Sequence, residues 1–307
     1  MSRRVLLTGA TGFVGRHAGA ALARRGFEVH AVARAPGPAA EGVAWHAADL
    51  LDGDAARRLV DRIRPTHLLH LAWYVEHGKF WHSPENLRWV AASLELVRAF
   101  RQAGGERAVL SGTCAEYEWG HGLCSEASTP TVPATLYGAC KLALHQVVEA
   151  YARQSGMSAA WGRIFLLYGP HEPPARLVAS VARALLRGEP APCSHGMQVR
   201  DFLHAADAAD AFAALLDSDV RGAVNIGSGE PVALRDVVQA LAARAGRPDL
   251  LRLGALPAAP GDPAALTADV SRLRGEVGWS PALSLEAGLD DVVRWWRNDA
   301  HAPAGAR

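Results

Sequence analysis

The sequence predicts an α/β protein: a doubly wound parallel sheet of about seven strands, with a smaller α/β unit toward the C-terminus. Three observations predict it. Short apolar runs alternate with helical stretches through the first two thirds of the chain, the pattern of parallel βαβ units. These runs are apolar on both faces, as strands covered by helices on each side must be. The first of them, Val5-Leu6-Leu7, turns sharply on Gly9 and Gly12 and enters a helix at Gly15. Such a turn leaves backbone N–H groups and a helix N-terminus facing outward, a seat for a pyrophosphate.

Taken in order, a strand from Val5 leads into a helix over 16–25 that Gly26 ends. Strands are expected at 28–33, 43–47 and 67–72, with a turn at Pro36-Gly37-Pro38 and a helix over 52–63. Ser83-Pro84-Glu85 supplies an N-cap hydroxyl, a first-turn proline and an early acid. The helix it starts reaches about Gln102 and stops at Gly104-Gly105. A fifth strand over 108–111, a long helix over 135–154 and a sixth strand over 159–167 follow, closing on Tyr168-Gly169-Pro170. Beyond it the alternation loosens: helices at 175–187, 205–216, 234–245 and 285–297, strands at 198–203 and 223–226, and a Pro/Ala/Gly-rich connection at 254–263. Residues 1–168 form the dinucleotide-binding unit in this scheme, with 201–230 returning to it. Residues 169–200 and 231–299 form the second unit, and 300–307 a frayed tail.

Composition narrows the class. The chain has 307 residues, half of them apolar and 21% charged, which suits a folded globular protein. Net charge is +1 and the arginines form no basic run, which argues against nucleic acid as the main partner. Cys114, Cys124, Cys140 and Cys193 show no metal-ligand spacing and read as free thiols of a reducing compartment. No stretch has membrane-spanning length and the N-terminus lacks a signal-peptide core, so a cytoplasmic location is expected and no membrane partner.

Arg34 stands at the tip of the second strand, where an acidic residue would bind the ribose 2′-hydroxyl of NAD and an arginine accommodates a 2′-phosphate. NADP(H) is therefore expected over NAD(H), although a surface arginine is the plain alternative in a chain this rich in Arg. Asp49 follows the third strand and could accept from an adenine amino group or cap a helix. Tyr137 and Lys141 share a helix face one turn apart. A free phenol, with a pKa near 10, needs a nearby cation to act as an acid or base at neutral pH. The chain has only two lysines, Lys79 and Lys141, and five tyrosines, so chance pairing at this spacing is roughly 3 in 100. Thr113 lies past the fifth strand, on the sheet edge where ligands bind in open α/β folds.

These residues identify the chain as similar to the extended short-chain dehydrogenase/reductases of the nucleotide-sugar epimerase, dehydratase and reductase group. The resemblance runs through Thr8-Gly9-x-x-Gly12-x-x-Gly15, Asp49-Leu50, His70-Leu71-Ala72, Thr113, Tyr137-x-x-x-Lys141, Arg163, Tyr168-Gly169-Pro170, Arg200-Asp201-Phe202, Asn225-Ile226-Gly227 and Gly278-Trp279-x-Pro281. It implies a Rossmann-type domain. The cofactor would lie along Gly9, Thr11, Gly12, Phe13, Val14, Gly15, Arg34, Asp49, Leu50, Leu71, Ala72, Trp73, Ser111, Tyr137, Lys141 and Phe165. It also implies Thr113, Tyr137 and Lys141 as the catalytic set, and a nucleoside-diphosphate sugar near Thr113, Cys114, Arg176 and Arg200. Arg200 beside Asp201 could equally be an ion pair. A homodimer through the helices over 84–102 and 135–154 is implied as well.

Departures from the group's pattern carry information. Its 4,6-dehydratases place Asp-Glu directly after the threonine, where this chain has Cys114-Ala115, with Glu116 one position late. Trp89 replaces the usual Asn of the helix after the fourth strand, and Ala259 the Arg before Pro260-Gly261-Asp262, leaving Arg176, Arg252 and Arg272 as substitutes. The aromatic stretch Trp73-Tyr74 through Phe80-Trp81-His82 reads as a lid or packing cluster, or as a stacking surface for a sugar or nicotinamide. His171 and His195 are candidate epimerising bases. The expected activity is NADPH-dependent reduction of a keto group, at C4, of a nucleotide-linked keto-deoxysugar. An NAD(P)-dependent sugar epimerase is the alternative, and a cofactor-sensing protein without turnover a third reading.

Overall fold

The computed structural model describes residues 3–35, 37–38, 41–259 and 261–300. Pro36, Pro260 and the expected tail from 301 onward lie outside the described residues; residue 300 closes the last helix.

The first half alternates as its pattern requires: β1 (Arg4–Thr8), α1 (Gly15–Arg24), β2 (Glu28–Ala33), β3 (Val43–Ala47), α2 (Gly53–Ile63), β4 (His67–His70), α3 (Glu85–Gln102) and β5 (Arg107–Thr113). After a short β6 (Gly122–Cys124) come α4 (Leu136–Ser155), β7 (Ser158–Ile164), β8 (Leu166–Tyr168), α5 (Leu177–Leu186), β9 (Ala191–Pro192), β10 (Val199–His204), α6 (Ala205–Asp217) and β11 (Gly222–Ile226). The remainder is β12 (Pro231–Ala233), α7 (Leu234–Ala245), β13 (Leu251–Arg252), β14 (Ala265–Ala268), α8 (Ser271–Gly275) and α9 (Leu285–Ala300).

Seven strands form one parallel sheet in the order β11-β7-β5-β4-β1-β2-β3, the doubly wound Rossmann-type arrangement. Alternate residues of β1 serve opposite faces: Val5 and Leu7 pack with Ala18, Leu22, Phe212 and Leu216 of α1 and α6. Leu6 packs on the other side with Leu59, Leu96, Phe100 and Leu144 of α2, α3 and α4. A third core, with Val178, Leu185, Leu241, Leu289 and Trp296, holds α5, α7 and α9 together as the second unit.

Local sequence sets the helix ends. The Asp52 side chain accepts from the N–H groups of Asp54 and Ala55 at the start of α2. Thr135 Oγ1 accepts from Gly138 N at the start of α4, and Gly156, at φ 72°, ends that helix. Arg107 closes the other end of α6, donating to the carbonyls of Leu215, Leu216 and Val220, which the helix cannot satisfy itself.

The single strand expected over 159–167 is two. β7 ends at Ile164 in the large sheet, Phe165 N donates to Ile226 O, and β8 then pairs with β10. The chain crosses from one sheet to another at Phe165. The segment 201–230 is likewise shared: α6 and β11 return to the large sheet, whereas β10 lies in a second, five-stranded sheet with β12, β14, β6 and β8. The sequence does not announce β6, β9, β12, β13, β14 or α8; each spans five residues or fewer, too short for a periodic signal.

Candidate active site

The C-terminal ends of β1, β2, β4, β5 and β7 are in register, with Thr8 opposite Val32 and His70, and Thr113 opposite Ile164. This edge brings the glycine turn, Arg34, Leu71-Ala72-Trp73, Ser111, Thr113 and Phe165 into one row. A buried hydrogen-bond chain fixes it. Thr8 Oγ1 meets His70 Nδ1 at 2.7 Å and accepts from Ala72 N, while His70 Nε2 meets Ser93 Oγ at 2.8 Å. Burial pushes the His70 pKa down to about 3, so the ring is neutral here.

The glycine turn has room for backbone only. Gly9 sits at φ 69°, and a Cβ there would come within 2.7 Å of Ala72 N. A Cβ on Gly15 would lie 2.0 Å from Gly9 O. The start of α1 has no side-chain cap and no acidic residue in its first turn; Arg16 N and His17 N donate to Gly12 O and Val14 O, which leaves the N–H groups of Phe13, Val14 and Gly15 to meet an anion. Thr11 and Gly12 are exposed and Phe13 and Val14 half-buried around this turn. The set fits a dinucleotide pyrophosphate. Gly15→Ala is expected to weaken cofactor binding about 5- to 100-fold, from an overpacking cost of about 1–3 kcal/mol. A fluorescence titration with NAD⁺ and NADP⁺ measures it, and unchanged affinity for both would remove the turn from the site.

Arg34 is exposed at the tip of β2. Asp49 is exposed and accepts from Leu51 N in its own turn rather than capping a helix, and Leu50 beside it is buried. Lys141 Nζ donates to Ser111 O at 2.7 Å and lies 3.9 Å from the centre of the Trp73 ring. The lysine is 2% exposed, and burial brings its pKa down to about 7 against the opposing charge of Glu116. Tyr137, one turn earlier on α4, lies beside Thr113; burial raises its pKa, while Thr113 and the charge of Arg176 act to lower it.

Glu116 resolves a question of register. The carboxylate is fully buried, and its Oε1 accepts from Thr113 N and Trp161 Nε1 at 2.8 and 2.9 Å. Its Oε2 accepts from Arg163 Nε at 2.8 Å. Three donors hold the group inside the protein, where it braces the Thr113 turn and faces away from the substrate side, which does not suit an acid/base for elimination. Glu116→Ala is expected to destabilise the protein by about 3–5 kcal/mol, because Arg163 is left buried without its counter-charge. Denaturant unfolding measures this; a change under about 1 kcal/mol would mean the pair contributes little.

Arg200 does not pair with Asp201. Its guanidinium donates to Asp262 Oδ1 and to Val199 O, while Asp201 accepts from Ser228 N, Ser228 Oγ, Gly229 N and Ala268 N. Arg176 lies 3.3 Å from Glu172 Oε1 and 5.8 Å from the Phe13 ring centre. Burial raises Glu172 to about 7 in spite of this pair. Cys114 follows Thr113 with its thiol raised by burial to about 12, which suits a wall position and not a nucleophile. Of the other proposed substitutes, Arg252 donates to the Asp249 and Leu251 carbonyls. Arg272 is engaged by Ala223 O, Arg221 O and Glu276. The His171 ring meets Trp295 at a tilt of 52°, 4.7 Å between centroids, and His195 accepts from Met197 N in an exposed turn.

Sequence reasoning missed Glu172, the Asp262 partner of Arg200, and Asn86. Asn86 is fully buried: it accepts from Trp73 Nε1 and donates to the carbonyls of Phe80 and Ser83. Only its place in the first turn of α3 hints at this. Among the described residues no helix is long and apolar enough to cross a membrane, and no cluster of three or more His, Cys, Asp or Glu could hold a metal.

Residues 5–227 match the sequence profile of the NAD dependent epimerase/dehydratase family. A UDP-glucose 4-epimerase of Streptomyces lividans is 29% identical over 96% of this chain and 96% of its own. Among solved structures, the Thermus thermophilus UDP-glucose 4-epimerase complex with NAD superposes with a TM-score of 0.84 at 30% identity, over 96% of this chain and 99% of that one. MoeE5 in complex with UDP-glucose and NAD gives a TM-score of 0.85 at 32% identity, over 97% and 99%; MoeE5 is also solved with UDP-glucuronic acid and NAD.

Proposed function

The chain belongs to the NAD dependent epimerase/dehydratase family, and from that premise we propose that it is a nucleotide-sugar 4-epimerase acting on a UDP-hexose. The observation that carries the reading is that Tyr137 lies beside Thr113 at the sheet edge, with Lys141 one helical turn on and bonded to Ser111 O, while Glu116 is held inside the protein by three donors. Hydride chemistry at a carbinol carbon is thereby provided for, and elimination of water is not. The names of the full-length relatives favour the epimerase over the reductase that the sequence alone suggests.

A nicotinamide dinucleotide held by the glycine turn supplies the hydride acceptor and donor. Thr113 hydrogen-bonds the sugar O4 and holds it against Tyr137. Tyr137 takes the O4 proton in one direction and returns it in the other, and Thr113 and the charge of Arg176 act to bring the phenol pKa down. Arg176 and Arg200 exchange Glu172 and Asp262 for the diphosphate. Exposed Leu87 on α3 and Val147 on α4 support pairing of these helices with a second copy.

One observation favours a second reading, an NADPH-dependent 4-ketoreductase: Arg34 is exposed at the β2 tip and Ala33 and Ala35 flank it, with no acid to bind a ribose 2′-hydroxyl. One experiment separates the two. The protein is incubated with UDP-hexoses and with a nucleotide-linked 4-keto sugar, following the nicotinamide absorbance and the product epimers. Interconversion of C4 epimers without net NAD(P)H change supports the epimerase; stoichiometric NADPH loss on the keto sugar supports the reductase. A protein that does neither overturns both readings. Arg34→Asp is expected to shift the NADP⁺/NAD⁺ affinity ratio toward NAD⁺ by about tenfold or more, read by titration.

A further inference from the structure

The segment between β4 and α3 is built against the reacting residues. Tyr137 N donates to Trp81 O at 3.1 Å, and Asn86 holds the Phe80 carbonyl and the Trp73 indole, so the segment is fixed at both ends. The Phe80 ring meets the Tyr137 ring edge-on at 4.9 Å, and the Trp81 ring does so at 5.7 Å. Trp81 then meets Trp119 edge-on at 6.2 Å, and Trp119 Nε1 is spent on Cys114 O. A chain of half-buried rings thus runs from the Tyr137 ring to Trp119, which is hydrogen-bonded to the residue after Thr113.

We propose that Phe80, Trp81 and Trp119 select the hexose by its C5 substituent: a 6-deoxyhexose with a methyl group there is preferred, and a hexuronic acid is rejected. The proposal rests on the C4 chemistry assigned above. C5 is bonded to C4, so its substituent is set beside the oxygen held by Thr113 and Tyr137. A methyl group gains apolar contact on such a surface. A carboxylate loses water there and needs a cation in exchange. The nearby cations are engaged elsewhere: Lys79 with Glu76, Lys141 with Ser111 O, and Arg176 and Arg200 with Glu172 and Asp262, which they give up only to the diphosphate. A hydroxymethyl group falls between, since apolar surfaces discriminate weakly against an added hydroxyl.

The test compares UDP-6-deoxyglucose, UDP-glucose and UDP-glucuronic acid, which differ only at C6. The expected kcat/KM for the 6-deoxy compound exceeds that for UDP-glucose by roughly tenfold and that for UDP-glucuronic acid by about 100-fold or more. Trp81→Arg, checked for an unchanged melting temperature, is expected to narrow the last ratio at least about tenfold. UDP-glucuronic acid turned over within tenfold of the 6-deoxy compound overturns the proposal. Dissociation constants on Tyr137→Phe with NAD⁺ give the same order independently of turnover. If the three bind in the expected order but none reacts, the C4 assignment fails and the selective wall stands. If they bind alike, the wall fails.

Discussion

Tyr137→Phe is expected to abolish turnover, by about 10³-fold or more, and to leave cofactor affinity within a factor of about two. The phenol lies beside Thr113, whereas the neighbouring Cys114 thiol is raised by burial to about 12 and Glu116 is held inside the protein by Thr113 N, Trp161 and Arg163. Replacement by Phe keeps the ring that Phe80 and Trp81 pack against, so the aromatic contacts survive. The cost in stability is limited to one hydrogen bond, about 1 kcal/mol. Steady-state rates give the first number and a tryptophan-fluorescence titration the second. Activity within tenfold of the parent protein would mean that the proton moves by another route.

What could be read ahead from the sequence was what is local. The β1–turn–α1 unit and the Tyr137/Lys141 pair depend on spacings of three and four residues, and both stand as expected. The boundaries of β2, β3 and α7 were likewise legible, because periodicity, Gly and cap residues act within a turn or two. What the sequence left open depends on distant partners. Glu116 was one residue out of place by count, and only Trp161 and Arg163 on β7 decide that its carboxylate faces inward. Arg200 stood next to an aspartate, yet pairs with Asp262, while Asp201 is drawn to the Ser228 turn. The aromatic stretch was expected either to pack or to stack on a ligand; Phe80 and Trp81 contact Tyr137, and Asn86 holds the stretch in place with only its position in the first turn of α3 as a signature in sequence. Of the second sheet only β10 was expected as a separate strand; its pairing was not legible, because the other strands are three or four residues long and join segments far apart in the chain.

Lys141→Met separates stability from activity. The ammonium is 2% exposed, has a carbonyl and an indole face as its close partners, and its pKa is brought from 10.5 to about 7 by burial. Between these values the unfolded chain binds a proton that the folded protein has released, so folding stability rises with pH across that window. The slope from this one group reaches about 1.4 kcal/mol per pH unit. Below about pH 7 both states are protonated, the slope ends, and the full destabilisation remains. Met keeps the length of the stem and removes the charge. The variant is expected to be more stable at neutral pH by about 1–3 kcal/mol, less than the whole shift because the bond to Ser111 O is lost. Its stability is expected to be flat with pH just above neutrality, while kcat/KM falls at least about 100-fold. Burial raises the Cys114 thiol to about 12 and the Cys124 thiol to about 11, and these give the opposite slope once the unfolded thiols ionise near 9. The measurement is therefore urea unfolding at about pH 7.5 and 8.5, below that crossover. A variant less stable than the parent at both values would show that the ammonium is a supporting member of the fold. The expected gain would show instead that the fold holds a charge against its own stability beneath Trp73, where Lys141 stands one helical turn from Tyr137.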